Sequence, residues 1–140
     1  MAANSSVATS LPHVPISWGE LVDKITILEI KSERLADSGA VANVRKELSL
    51  LEDIARRLVN SDRELLQLKT QLKSVNEVLW DVEEKIREKE AQKQFDPAFI
   101  GLARSVYKHN DQRASIKRQI NLKTASELLE EKSYVNLDSA

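Results

Sequence analysis

The stretch that decides the fold is VANVRKELSLLEDIARRLVNSDRELLQLKTQLKSVNEVLWDVEEKIREKEAQK, residues 41–93. It contains neither Pro nor Gly, and strong helix formers dominate it, so it predicts helix. Apolar residues recur every seven positions, with a second series three positions on, which is typical of helices packed side by side. The first series is Val44, Leu51, Leu58, Leu65, Leu72, Leu79 and Ile86, and the second is Ile54, Leu68, Val75 and Val82. This coiled-coil-like seam predicts an all-α protein.

The seam also indicates where this stretch breaks. It fails at Glu47, where Leu48 takes the apolar place, and again at Ser61, which opens a capping box with Glu64. One helix of about fifty residues would need an equally long partner, whereas Asn60 can end one helix before Ser61 starts the next. We therefore favour two helices, 41–60 and 62–93, over one continuous helix.

Helix signals flank this stretch on both sides. Before it, Ser17 and Glu20 form a capping box and apolar residues continue at helical spacing, so a helix is expected at 17–36. After it, Asp96 followed by Pro97 starts a helix expected at 96–124. Ser126 can cap a last short helix at 126–133, which Leu128 and Leu129 would dock.

These elements form one domain at 17–134, which we expect to be an antiparallel helical bundle with a long hairpin made by helices 62–93 and 96–124. Residues 1–16 contain Pro12 and Pro15 among small polar residues and read as a flexible arm, and 135–140 reads as a frayed end.

Composition excludes several classes of function. The chain has 140 residues, no Cys, two isolated His and a formal net charge of −1. Disulfides and thiol chemistry are therefore excluded, paired imidazoles for a zinc site are missing, and no metal or cofactor is expected. Near-neutral charge makes nucleic acid an unlikely partner. The sequence shows neither a signal peptide nor a membrane span, so we expect a cytoplasmic protein.

Candidate site residues lie where polar groups interrupt the hairpin. Helix 96–124 is basic, and in an antiparallel hairpin its residues face those of helix 62–93 whose numbers sum with theirs to roughly 190. Arg113 should then lie near Glu77, and Asn110 near Trp80. Tyr107 and Asn110 share the face where a bundle normally places Leu. With the basic residues of helix 17–36, the speculative ligand-binding set is Lys24, Lys31, Asn76, Trp80, Arg104, Tyr107, Lys108, Asn110 and Arg113.

Structural roles compete with this interpretation. The charges can form interhelical ion pairs, which specify register more than stability. Tyr107 and Asn110 can form a buried polar layer that fixes the packing. The charged residues of helix 17–36 can simply face solvent. Glu77, Asp81 and Glu84 share one helix face, but metal sites in bundles usually take ligands from several helices, so no metal is assigned.

The blocks SWGELVDKITILEIK (17–31), VNEVLWDVEEKIR (75–87), LARSVYKHNDQRASIKRQIN (102–121) and EEKSY (130–134) together resemble a family of small bacterial all-helical proteins, a domain of unknown function. The resemblance covers about 16–134 and implies no activity. A weaker similarity, to the all-helical chorismate mutases, rests on a capped amphipathic first helix. Lys24 and Lys31 stand where that family has an early Arg, and the later spacing departs from its pattern, so no catalytic role is carried over.

Two functions remain as hypotheses. The long seam and the lack of nucleophile and metal motifs favour a non-enzymatic helical interaction or scaffolding module that self-associates or binds a protein partner. The alternative is a small-anion binding protein or enzyme, with a basic and aromatic pocket that takes a phosphorylated sugar, a nucleotide or a dicarboxylate. Whether the chain is an enzyme stays open at this point.

Overall fold

The computed structural model describes residues 11–135 and 137. It confirms an all-α bundle of four helices: α1 (Trp18–Arg34), α2 (Ser38–Asn60), α3 (Arg63–Ala91) and α4 (Pro97–Lys123). The predicted bounds differ from the observed ones by at most three residues, and the end of α2 at Asn60 matches the prediction. The largest difference is at the start of α2, where the Asp37 side chain accepts a hydrogen bond from the Ala40 N–H and starts the helix earlier.

The predicted starts of the first and last helices are confirmed by their caps. The Ser17 hydroxyl accepts a hydrogen bond from the Glu20 N–H at 3.1 Å, and Asp96 accepts one from the Phe99 N–H at 3.0 Å. Pro97 occupies the first turn of α4, where its missing N–H costs nothing. These caps satisfy backbone donors that the helices themselves leave unpaired.

The break between α2 and α3 is also confirmed, but a different residue makes the cap. Asp62, rather than Ser61, accepts hydrogen bonds from the N–H groups of Glu64 and Leu65, at 2.9 and 3.4 Å. The Ser61 hydroxyl instead donates to the Leu58 carbonyl and closes α2. A carboxylate outcompetes a hydroxyl here because it also interacts favourably with the positive end of the helix dipole.

The core lies where α1 crosses the α3–α4 hairpin. Leu72 is fully buried, and Ile25 of α1 and Ile120 of α4 are 2% and 1% exposed. The predicted seam therefore packs as core along much of α3. It is wrong at Ile54 of α2, which is 60% exposed, because α2 turns Ala55 and Val59 towards the bundle instead.

The predicted short helix at 126–133 is wrong. α4 ends at Lys123 with Thr124 as its C-cap, Ala125 adopts a left-handed conformation with φ of 51°, and residues 126–135 continue without helix. We call residues 126–135 the strap. The Ser126 hydroxyl accepts a hydrogen bond from the Trp18 N–H at 3.4 Å, so it joins the strap to α1 rather than capping a helix. Leu128 and Leu129 stay 45% and 40% exposed.

The two predicted termini are described only in part. Of the arm at 1–16, residues 1–10 lie outside the described residues, and 11–16 are exposed and not helical. Of the end at 135–140, residues 136 and 138–140 lie outside them. Within the part of the chain that is described, no helix combines the length and the apolar character needed to cross a membrane.

Candidate functional site

A buried carboxylate, Asp23 of α1, lies at the centre of the bundle. It is 1% exposed. Its Oδ1 accepts hydrogen bonds from Arg113 Nε of α4 and Asn76 Nδ2 of α3, both at 2.9 Å, and its Oδ2 accepts from Arg113 Nη2. Burial of a lone carboxylate would cost several kcal/mol, so these donors are what permits the charge to stay there.

Thr26, also fully buried, completes this network. Its hydroxyl donates to the backbone carbonyl of Asp23 at 2.8 Å and accepts from Asn76 Nδ2 at 2.9 Å. The Asn76 amide therefore holds the side chains of two α1 residues one turn apart. Because these hydrogen bonds join side chains of α1, α3 and α4, the network fixes the three helices in one arrangement.

Arg113 is held by Asp23 along one side of its guanidinium group. Its side chain is 29% exposed, and its Nη1 lies 3.5 Å from Asn110 Oδ1. The hydrogen bonds that Arg113 donates to Asp23 raise the pKa of Arg113 and outweigh the opposing effect of burial. The group is permanently charged and fixed in orientation, and one edge of it remains accessible.

One turn further along α4, Lys117 makes a second buried ion pair. Its Nζ lies 2.7 Å from Glu20 Oε2 and 2.8 Å from Glu130 Oε2 of the strap. Burial lowers the pKa of Lys117, but hydrogen bonds to Glu130 and Glu20 outweigh that effect and leave it above the ordinary value. A hydrogen bond from Lys117, and a smaller contribution from one donated by Lys132, lower the pKa of Glu130 to about 2.

Gly19 brings α1 and α4 into direct backbone contact. Its N–H donates to Asn121 Oδ1 at 2.7 Å, and a Cβ at this position would lie 2.5 Å from the Lys117 carbonyl oxygen. Any side chain here would therefore push the helices apart. This close approach holds Glu20 and Asp23 within reach of Lys117 and Arg113.

Two cavities share Asn110 and Arg113 as a common wall. The larger, of about 650 Å³, lies between α4, the first turns of α1 and the strap. We call it the strap cavity, and its walls include Glu20, Tyr107, Asp111, Lys117, Glu130 and Tyr134. The smaller cavity, of about 280 Å³, has a largely apolar wall that includes Ile27, Leu79, Trp80 and Val106.

The structure brings together five of the predicted site residues. Asn76, Trp80, Asn110 and Arg113 line the smaller cavity, and Tyr107 joins Asn110 and Arg113 in the strap cavity. Asn110 and Trp80, which the predicted hairpin register placed near each other, line the same cavity. The remaining four lie in neither cavity: Lys24, Lys31, Arg104 and Lys108.

Two expectations about these residues are wrong. Arg113 binds Asp23 rather than Glu77, which instead lies 3.8 Å from Arg34. Tyr107 is 44% exposed and Asn110 is exposed, so they do not form the polar layer. The buried layer consists of Asp23, Thr26 and Asn76, because these residues face each other where α1 crosses the hairpin.

Most charged residues of α1 are paired rather than simply facing solvent, although Lys24 is exposed. Glu29 and Glu33 pair with Lys69 and Lys73 of α3, at 3.4 and 2.6 Å, and Arg34 pairs with Asp81 at 2.5 Å. Interhelical ion pairs therefore exist, but these join α1 to the hairpin, whereas Lys123 of α4 and Glu64 of α3, 2.8 Å apart, join its two helices. Among the residues described, no cluster of carboxylate and imidazole groups is arranged to hold a metal ion.

Sequence reasoning did not include Glu20, Asp23 and Lys117 among the site residues. A signal was present in their spacing. Glu20 and Asp23 lie about one turn apart on one helix, and Arg113 and Lys117 lie about one turn apart on another. Such spacing allows two ion pairs to form between the two helices. What the sequence lacked was any indication that α1 and α4 approach as closely as Gly19 allows.

The fold and the site together define a class, a small four-helix bundle with a buried polar network and an open cavity. Within that class, the chain belongs to the family described as Family of unknown function (DUF6165), whose model matches residues 12–139. No curated protein and no solved structure matches the chain.

Proposed function

We propose that the chain is a non-enzymatic helical interaction module that self-associates through the outer face of α2. The observation that carries the proposal is the exposure of two neighbouring apolar residues on that helix. Leu50 and Ile54, one turn apart, are 45% and 60% exposed. α2 spans 23 residues, of which Ala55 and Val59 are buried against the bundle, so most of its surface is available to a partner.

A second copy of the same chain fits this face because the face is self-complementary. In an antiparallel pair of α2 helices related by a two-fold axis at position 52, Leu50 of each copy meets Ile54 of the other. In the same register Glu47 lies diagonally opposite Arg57 of the partner copy, within reach of the long arginine side chain. One symmetry operation therefore pairs both the apolar and the charged residues.

The charges on this face are available for such pairing. Within the described residues neither Glu47 nor Arg57 has an ion-pair partner, whereas the neighbouring Asp53 and Arg56 pair with each other at 3.1 Å. The half-buried Leu51 and Leu58 border the exposed pair and would extend the apolar contact. At 1.5 Å per residue the helix is about 35 Å long, so it offers several turns for this contact.

Sedimentation velocity of the whole chain tests the proposal. We expect a concentration-dependent dimer for the wild type and a monomer for Ile54→Lys, since a buried unpaired ammonium would oppose association. Lys85→Ala, which changes an exposed residue on α3, serves as a control and should leave the dimer intact. A wild-type chain that stays monomeric at high micromolar concentration would rule out self-association.

A charge-reversal experiment tests the register itself. Glu47→Arg and Arg57→Glu should each weaken the homodimer, because each places like charges opposite one another. A mixture of these two variants should form a heterodimer in which both pairs are restored. Dimers that survive each single reversal unchanged would contradict the register but not self-association.

A further inference from the structure

We propose that the strap cavity binds the carboxylate group of a small molecule, which the outer edge of the Arg113 guanidinium receives. This site does not depend on self-association, since the cavity and the outer face of α2 are formed by different residues. The argument rests on the geometry of the guanidinium group, on its support and on the charge of the cavity walls.

A guanidinium group can bind two carboxylates at once, one along its Nε and Nη2 side and one along the edge formed by Nη1 and Nη2. Asp23 takes the first side, through hydrogen bonds from Nε and Nη2. Along the second edge, the described residue within hydrogen-bond distance is Asn110, whose Oδ1 lies 3.5 Å from Nη1, at the limit for such a bond. Arg113 lines both cavities, and this edge carries an N–H from each terminal nitrogen.

Arg113 is also held rigidly, as a binding residue should be. Asp23 is nearly inaccessible to solvent and is itself fixed by Asn76, so the guanidinium cannot turn away without leaving a buried charge unpaired. Lys24 and Arg104, by contrast, are exposed, and no ion pair to a described residue holds them. A ligand that binds Arg113 therefore loses little entropy in ordering the side chain.

Two neutral polar residues line the strap cavity together with Arg113. Asn110 lies one turn before Arg113 on α4, and Tyr107, whose phenol is partly exposed, lies one turn before Asn110. Both can donate hydrogen bonds to a bound oxyanion after a rotation of the side chain. The volume of about 650 Å³ falls within the range of small-molecule sites in proteins.

The charge of the walls selects a monoanion over a dianion. Three acidic residues, Glu20, Asp111 and Glu130, line the cavity together with three basic ones, Arg113, Lys117 and Lys132. Lys117 is already paired with two carboxylates and Lys132 with Glu130, so a second negative charge on the ligand would meet acidic walls without a cation of its own. A carboxylate, with or without an ammonium group, fits these walls better than a phosphate dianion.

The test is a titration of the ¹⁵N-labelled chain, followed by NMR at constant ionic strength, with acetate, glycine and inorganic phosphate as the probes. We expect acetate or glycine to shift the Arg113 Nε–H and Asn110 side-chain amide signals saturably, and phosphate to do so more weakly. Shifts that fail to saturate, or that phosphate produces more strongly than either carboxylate, would overturn the proposal.

A matched pair of variants tests the location. Asn110→Asp places a carboxylate beside Nη1 of Arg113, where it competes with the ligand. Binding of acetate or glycine, whichever binds the wild type, should therefore weaken roughly tenfold or more. Gln112→Asp adds the same charge to an exposed position on α4 outside the strap cavity, and we expect it to weaken binding less than about twofold, since exposed charges are screened. Equal weakening by both variants would show that the probe responds to overall charge only.

Discussion

α1 and α2 are neighbours in sequence that differ sharply in how they use their surfaces. α1 has 17 residues and buries eight of them, including Asp23 and Thr26, whereas α2 has 23 residues and buries two. Both are amphipathic and well capped, so neither propensity nor capping explains the difference. The explanation is position: α1 lies across both helices of the hairpin, and α2 packs mainly along the outside of α1.

The difference teaches that burial and amphipathicity are separate properties of a helix. α2 has a clear apolar stripe, but the bundle covers only part of its apolar surface, so Leu50 and Ile54 stay exposed. α1 instead buries the polar side chains of Asp23 and Thr26, and it can do so because α3 and α4 supply hydrogen-bond donors to them. If this contrast is correct, substitutions in α1 and its partners should affect stability, whereas substitutions on the outer face of α2 should affect association.

The largest effect on stability should come from removal of Arg113, the cation that pairs with the buried Asp23 of α1. Arg113→Ala leaves the buried Asp23 carboxylate without its cation, and we expect a loss of about 3–5 kcal/mol in the free energy of unfolding. Urea denaturation measures this loss. Asp23→Ala combined with Arg113→Ala should cost clearly less than the sum of the two single losses, because the double variant no longer buries an unpaired charge. Strict additivity would show that the two side chains do not stabilise each other.

A direct comparison of the two helices uses the same substitution in each. Ile25→Ala in α1 removes a buried side chain and should cost roughly 2–5 kcal/mol, whereas Ile54→Ala in α2 should change subunit stability by less than about 0.5 kcal/mol. Denaturation at low protein concentration, where a dimer dissociates, isolates the subunit. Similar losses at both positions would contradict the contrast between the helices.

Glycine substitutions give the smallest but most local comparison. Gly19→Ala in α1 forces a methyl group against the Lys117 carbonyl and should cost roughly 1–3 kcal/mol. Gly39→Ala at the start of α2 meets only the movable Asp37 carboxylate, at 3.3 Å, so it should be nearly neutral. Thermal unfolding of the two variants measures the difference. A Gly19→Ala chain as stable as Gly39→Ala would mean that α1 and α4 can separate without loss.

Much of the fold could be predicted from sequence because its signals are local. Ser17, Asp96 and Pro97 act within one turn, and the seam along α3 repeats within one helix, so the helices and the hairpin register follow from them. The cap at Asp62 was misassigned to Ser61 because both residues can cap and they are adjacent. The choice depended on the fine geometry of the turn.

The candidate site was harder to predict because its pairs join distant parts of the chain. Asn76 and Arg113 belong to the predicted site residues, but their common partner Asp23 is 53 and 90 residues away from them. The strap was misassigned for a similar reason. Ser126 satisfies the signal for a helix cap, yet its hydroxyl binds the backbone of Trp18, 108 residues away, and no property of residues 126–133 alone reveals that contact.

The distances along the chain between α1 and its partners also bear on the order of folding. The α3–α4 hairpin closes through a short connection at residues 92–96, whereas Glu20 reaches Lys117 only across 97 residues. Short loops close faster than long ones, so we expect the hairpin to form before α1 docks. If docking follows the rate-limiting step, substitutions of Asp23 or Gly19 that weaken the contacts of α1 would accelerate unfolding far more than they slow refolding. The lifetime of the native state would then depend on how tightly α1 binds to the rest of the bundle.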